Sequence, residues 1–187
     1  MQSKLKTYND LELVEVIRTK PSESEEAFKI IYDRYSGFVH SYALKLLGDR
    51  DTAEDVFQDT FIKFYKNVRY DDGANIKSYL IRIARNLCYN SIRNKKQNIP
   101  IEDMEYILQV NINYEKKELL SLINSAMELL DDPYKEIFIL REYSNMNYNE
   151  IGEIMNITSE NAKIRYFRAK QKIKEILKPY LEEIKSI

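Results

Sequence analysis

Cysteine and histidine occur once each in this chain, as Cys88 and His40. One thiol cannot close a disulfide within the chain, and this pair cannot assemble a Cys/His zinc site. The same scarcity removes most of the nucleophile and base pairs on which enzymes rely. Cys88 reads as core packing, and His40 as a surface or partly buried helix residue. No glycine-rich phosphate loop is present. Glycine and proline number only 4 each, too few for the many turns of a strand-rich fold, so long helices are predicted. No apolar run approaches the roughly 20 residues that span a bilayer. Met1 to Asp10 is polar and lacks the apolar core of a signal peptide. The chain is therefore expected to be soluble and cytoplasmic, with no catalytic residue, bound metal or cofactor.

What the chain does have is a hydrophobic content of 44% over 187 residues, enough for one ordinary domain or two small ones. Its net charge of −1 hides an uneven distribution. Between Lys77 and Lys96 stand Lys77, Arg82, Arg85, Arg93, Lys95 and Lys96 with no acid; between Ser159 and Lys178, seven cations face Glu160 and Glu175 alone. Local stripes of this kind, rather than net charge, are the electrostatic footprint of a phosphate backbone.

Hydrophobic periodicity divides the chain into helices. Asp10 to Arg18 carries Leu11, Leu13, Val14 and Ile17, and Pro21 to Ser24 is expected to break it. Ala27, Phe28, Ile31, Tyr32 and Tyr35 begin the next helix, which continues through Val39, Tyr42, Ala43 and Leu46 with Gly37 as a weak point. Gly48–Asp49 stops it. A helix from Asp51 or Thr52 has the stripe Ala53, Val56, Phe57, Thr60, Phe61, Phe64 and Val68 and is expected to end at Asp71–Asp72–Gly73. The following one carries Ile76, Tyr79, Leu80, Ile83, Ala84 and Leu87. Residues 97–117 read as a flexible linker, with Asn98–Ile99–Pro100 blocking a helix and Glu102, Asp103 and Glu105 adding negative charge. From Glu118, Leu119, Leu122, Ile123, Ala126, Met127 and Leu130 form a stripe. Asp131–Asp132–Pro133 is a stop and restart before a helix through Ile137, Phe138 and Leu140. The fold class is therefore all-α, with a first domain over 8–96 and a second over 118–180.

Tyr148 to Met155, the turn Asn156–Ile157 and a helix capped by Thr158 make a helix-turn-helix. Gly152 falls where its two helices approach, and Ile151, Ile154 and Ile157 are expected to fill the small core. In the second helix, Ala162, Tyr166, Ala169 and Ile173 form a buried stripe. Asn161, Ile164, Arg165 and Arg168 lie on or beside the opposite face, where Arg and Asn can bond base edges. Lys163, Lys170, Lys172 and Lys174 are placed for phosphate. Upstream, Arg82, Arg85, Asn86, Tyr89, Asn90 and Arg93 share one face. Cations interleaved with an aromatic ring and amides suit a single strand. Asp51, Glu54, Asp55, Gln58 and Asp59 form an acidic stripe, either a solvated face or a dock for a basic protein surface.

These elements, in this order, resemble the extracytoplasmic-function sigma factors of the sigma-70 family over about Asp10 to Leu177. The opening resembles the family's first region-2 helix: Asp10–Leu11–Glu12–Leu13, then Ala27–Phe28, Ile31–Tyr32 and Tyr35. Ala53–Glu54–Asp55–Val56–Phe57–Gln58–Asp59–Thr60–Phe61 resembles its most specific segment. Tyr79–Leu80–Ile81–Arg82–Ile83–Ala84–Arg85–Asn86 is similar to the family's Trp-Leu-x-x-Ile-Ala-Arg-Asn. Arg165 and Arg168–Ala169 stand at its Arg-Leu-x-Arg-Ala positions.

The resemblance implies a non-enzymatic promoter-recognition subunit whose partners are core RNA polymerase, promoter DNA and an anti-sigma factor. Asp51, Glu54, Asp55, Gln58 and Asp59 would dock on the clamp helices of the polymerase's largest subunit, with the flap a further contact. Asn75, Lys77, Tyr79, Arg82, Arg85, Asn86, Tyr89, Asn90 and Arg93 would hold the melted minus-ten element, and the loop from Asp72 to Lys77 would form a pocket for a flipped base. Thr158, Ser159, Asn161, Lys163, Ile164, Arg165 and Arg168 would read the minus-thirty-five element. The linker would thread toward the polymerase active site. The chain departs from the family pattern at Tyr79 for Trp, Asn90 for Asp, Asn161–Ala162 for Thr-Val and Asp131–Asp132–Pro133 for Leu-Pro. The first three bear on promoter sequence more than on membership. An ordinary helix-turn-helix regulator would explain residues 118–187 but not the basic helix behind the acidic one. An adaptor that binds only proteins would leave both basic stripes without a purpose.

Overall fold

The computed structural model describes residues 4–67, 75–98 and 116–185. Among these, every regular element is a helix. The chain divides into two compact units, Met1–Gln97 and Asn98–Ile187. The span 97–117 lies outside the described residues except at its ends, where one helix reaches Asn98 and another begins at Lys116.

In the first unit, a 3-10 turn at Lys4–Thr7 precedes α1 (Asp10–Thr19). Asn9 closes a capping box: its side chain accepts from the Glu12 N–H at 3.0 Å, and its own N–H donates to the Glu12 carboxylate at 2.7 Å. Two of the helix's orphan donors are thereby satisfied. α1 buries Leu13, Val14 and Val16. Leu11, expected inside, is exposed, because the helix turns Val16 rather than Leu11 toward its neighbour.

α1 ends at Thr19, before Pro21, as expected; Pro21 itself is already helical. It occupies the start of α2 (Pro21–Leu47), where its missing N–H costs nothing and its fixed φ suits the first turn. Gly37 lies on the exposed side of a continuous helix. α2 ends at Gly48, whose φ of 68° is the left-handed cap conformation, and its N–H reaches the Leu44 carbonyl at 2.9 Å. α3 (Arg50–Lys66) starts one residue earlier than the sequence suggests, since Asp49 is the cap and accepts from the Thr52 N–H at 2.8 Å. Ala53, Val56, Phe57, Thr60, Phe61 and Phe64 are buried as a stripe; Val68 and Asp71–Asp72–Gly73 lie outside the described residues. Burial of a side chain such as Phe64, fully enclosed, contributes about 1.5–3 kcal/mol.

α4 (Ile76–Asn98) buries Ile76, Leu80, Ile81, Ala84 and Cys88. Its core face is rotated from the expected one: Ile83 and Leu87 are only half-buried, while Ile81 goes inside.

The second unit holds α5 (Lys116–Glu128), α6 (Asp132–Glu142), α7 (Tyr148–Met155) and α8 (Ser159–Lys185). α8 packs against the other three. Ala126, Met127 and Leu130 meet Ile137, Ile139, Leu140, Met146, Ile151 and Ile154 in its core. Side-chain bonds tie its front helices: Lys135 to Glu128 at 2.6 Å, and Tyr143 Oη to Asn124 Oδ1 at 2.6 Å. Burial is the main cause that raises the Tyr143 hydroxyl pKa. No helix is long and apolar enough to cross a membrane, among the described residues.

Candidate functional site

The helix-turn-helix is built by two local devices. Asn147 closes a capping box with Glu150 at the start of α7. At its end Asn156 adopts the left-handed region, φ 55° and ψ 51°, a conformation that Asn tolerates better than most residues. The chain then folds back tightly enough that a Cβ on Gly152 would lie 2.7 Å from the Ile157 carbonyl oxygen. Thr158 Oγ1 accepts from the Asn161 N–H at 3.1 Å and caps α8. Ala162, Tyr166, Ala169 and Ile173 are all buried; Ile151 and Ile154 fill the small core, with Ile157 half-buried. The Tyr166 hydroxyl bonds Glu142, and burial first and that carboxylate second push its pKa strongly upward.

On the outer face, Asn161, Lys163, Ile164 and Arg168 are exposed, with Ser159 and Arg165 half-buried beside them. Phe167 is exposed there too, and the sequence reading passed over it. Lys172, one of the cations expected at phosphate, has partners within the unit. It bonds Asp131 at 2.8 Å and sits 4.7 Å from the centroid of the Tyr134 ring. Asp131, in turn, spends its carboxylate on Lys172 rather than on capping α6.

In α4, six of the residues expected to meet DNA share one surface. Arg82, Asn86, Asn90 and Arg93 are exposed, and Arg85 and Tyr89 are half-buried. The Arg85 guanidinium lies 4.8 Å from the Tyr89 ring centroid, and Arg93 donates to Asn90 at 3.2 Å. Such contacts hold cation and ring in fixed orientations. Tyr79 packs its ring against Phe64, 6.1 Å between centroids. A cleft of 190 Å³ runs beside it, lined by Lys63, Asn67, Tyr79, Ile83, Asn86, Leu87 and Asn90. Two further expected members, Asn75 and Lys77, also make contacts within the unit. Asn75 Oδ1 accepts from the Lys77 N–H at 2.9 Å and the Ser78 N–H at 3.3 Å, as a helix cap. The Lys77 ammonium stands 4.2 Å from the centroid of Phe38. Of the loop expected to hold a flipped base, Asp72 to Ala74 lie outside the described residues.

In α3, Asp51, Asp55, Gln58 and Asp59 are exposed and Glu54 is half-buried. Gln58 donates to Glu54 at 3.2 Å, and Glu54 lies 3.6 Å from His40. Gln58 also lines a 510 Å³ groove with Phe28, Tyr32, Phe57, Phe61, Ile62 and Tyr65. The acidic stripe therefore borders an aromatic trough that the sequence reading did not find. Its walls come from two helices, and only their packing brings Phe28 and Tyr32 to 6.3 and 4.8 Å from the Phe61 ring.

Residues 31–98 match the family model for sigma-70 region 2, and residues 120–173 that for sigma-70 region 4. The ECF RNA polymerase sigma factor SigM of Bacillus subtilis is 31% identical over 150 residues, covering 78% of this chain and 92% of the relative. SigW of the same organism is 27% identical over 169 residues, covering 82% and 90%. The solved sigma factor RpoE of Bartonella quintana, in complex with the anti-sigma factor NepR, aligns with a TM-score of 0.67. Its identity is 27%, over 81% of this chain and 96% of that one. The chain belongs to the extracytoplasmic-function sigma factors of the sigma-70 family. It is a transcription initiation factor that binds core RNA polymerase and directs promoter-specific initiation.

Proposed function

We propose a division of this work among three surfaces. The outer face of α3, with Asp51, Glu54, Asp55, Gln58 and Asp59, docks on a basic surface of the polymerase. α4 holds single-stranded promoter DNA through Arg82, Arg85, Asn86, Tyr89, Asn90 and Arg93, with Tyr79 beside the cleft. α8 reads upstream duplex through Asn161, Lys163, Ile164, Arg165 and Arg168 from a start fixed by Thr158 and Ser159. The observation that carries this reading is the separation of chemistry: acids and an apolar trough on α3, cations with a ring and amides on α4, cations around the first turns of α8. An acidic face repels phosphate and attracts a basic protein, whereas the other two do the reverse.

The protein acts without catalysis of its own, in the cytoplasm where the polymerase is. Residues 8–96 carry docking and melting, and 118–180 the upstream anchor. A protein inhibitor is proposed as well, because a related sigma factor has been solved with its anti-sigma factor. It would cover the DNA-reading faces.

Co-elution with sigma-free core polymerase tests the docking surface. Wild type is expected to bind and a D55R/Q58A variant to bind at least tenfold more weakly while remaining folded. Equal binding by both would remove the α3 assignment. Failure of the folded, inhibitor-free wild type to bind would remove the whole reading.

A further inference from the structure

We propose that His40 is a positioning residue for polymerase binding: from α2 it holds Glu54, and through Glu54 it holds Gln58, in the orientation that docks. This role rests on the assignment of the α3 face to the polymerase. The docking residues named above all stand on α3, and His40 reaches them only because α2 and α3 pack side by side. Its ring meets that of Phe57 edge to face, 5.5 Å between centroids and 87° between planes, an arrangement that aromatic quadrupoles favour. Phe57 is buried, so the contact anchors the imidazole against the core. His40 Nε2 then stands 3.6 Å from Glu54 Oε2. The other oxygen of the same carboxylate, Oε1, accepts from Gln58 Nε2 at 3.2 Å. One carboxylate is thus held at both oxygens. One partner is anchored on the core, and the other lines the aromatic trough.

What this arrangement supplies is order. Glutamate and glutamine are long side chains that lose rotamer freedom when an interface fixes them. Side chains already held in the free protein lose less of it on docking, and binding is tighter by the difference. Folding stability gives the arrangement little purpose. The His40 and Glu54 side chains are 39% and 47% exposed, and ion pairs so open to water contribute little. A docked polymerase excludes that water, and the same contacts then strengthen. His40 therefore matters most in the complex, although it belongs to a different helix from the residues that dock.

Three substitutions separate holding from packing, in full-length protein mixed with core polymerase. H40F keeps a ring on Phe57 and lacks the nitrogen. H40Q lacks the ring and places an amide nitrogen near the position of Nε2. H40A lacks both. Positioning predicts that H40F and H40A bind roughly fivefold more weakly than wild type, the scale of one side chain's lost order. H40Q should recover most of that loss. A packing role predicts the reverse order, with H40F near wild type and H40Q weak, and that result overturns the proposal. Q58A should weaken binding less in the H40F background than in wild type, because Gln58 is no longer held there; equal losses overturn it too. Nitrogen relaxation of the Gln58 side-chain amide in the free protein reads the order directly. It should show faster motion in H40F, and an unchanged amide again overturns the proposal. The docking assignment is judged apart from this. If D55R/Q58A binds as well as wild type, the assignment falls and the role of His40 with it. If D55R/Q58A is weak while H40F binds like wild type, only the role of His40 falls.

Discussion

Gly152 and Ile157 are locked across the turn of the helix-turn-helix: the Ile157 N–H donates to the Gly152 carbonyl at 2.9 Å, and the Ile157 carbonyl leaves no space for a side chain on Gly152. The obstacle is backbone, which cannot rotate away. G152A should therefore destabilise the second unit by about 1–3 kcal/mol and reduce upstream duplex binding as α8 is displaced. Thermal unfolding and duplex titration of the same sample check both. An unchanged melting temperature would mean that the turn relaxes freely.

Asn156 gives a second, milder test of the same turn. Its positive φ penalises a β-branched side chain by about 1–2 kcal/mol and does not penalise glycine. N156V should lower the denaturant midpoint, and N156G should leave it nearly unchanged. Similar midpoints for the two variants would show that the turn does not depend on this conformation.

Arg34 ties the start of the chain to α2. Its guanidinium meets Asp10 at 2.8 Å and the Tyr8 carbonyl at 2.7 Å, and Tyr35 also bonds Asp10. R34A should cost about 1–2 kcal/mol, allowing for partial exposure, and speed amide exchange in α1. R34K should not restore protection, because an ammonium lacks the fork that reaches both oxygens. Wild-type exchange in R34K would contradict this.

The Asp131–Lys172 pair predicts a pH dependence at both extremes. The Lys172 hydrogen bond and charge hold the Asp131 carboxyl below its ordinary range, and the Asp131 bond raises the Lys172 ammonium above its own. The aspartate contribution is present above the unfolded carboxylate pKa and is lost as pH falls through the depressed value. The lysine contribution is present below the unfolded ammonium pKa and is lost as pH rises through the raised value. A D131N variant should flatten both limbs relative to wild type when melting temperature is followed against pH. Both sites are open to solvent, so the effect should shrink in high salt.

Most of the helices were legible because their apolar residues repeat at helical spacing and their ends carry Asn, Asp or Gly. The stripe from Ala53 to Phe64 is one such case, since only one face of α3 is apolar. α4 was read with the wrong register because it offers two overlapping stripes: Leu80, Ile81, Ala84 and Cys88 or Leu80, Ile83, Ala84 and Leu87. Which one goes inside depends on neighbours distant in sequence. Pro21 marks the break after α1 as expected, but the sequence does not say that the same residue also starts α2. Asn75, read for its place before a basic helix, also caps that helix with its side-chain oxygen, which its spacing did not signal. At the candidate surfaces, single-helix faces such as Arg82 to Arg93 follow from spacing alone. The trough between α2 and α3 does not, since it exists only where two helices meet.

That trough also shapes how the molecule behaves alone. Ile62 and Tyr65 are 47% and 42% exposed beside it, which would ordinarily invite one copy to stick to another. Glu25 and Lys66 also line it, and Asp55 and Asp59 are exposed on the same helix, so a second copy seated there would have to strip water from charges. The charged rim thus acts as a gatekeeper of colloidal behaviour: its desolvation cost discourages self-association through the trough without filling it.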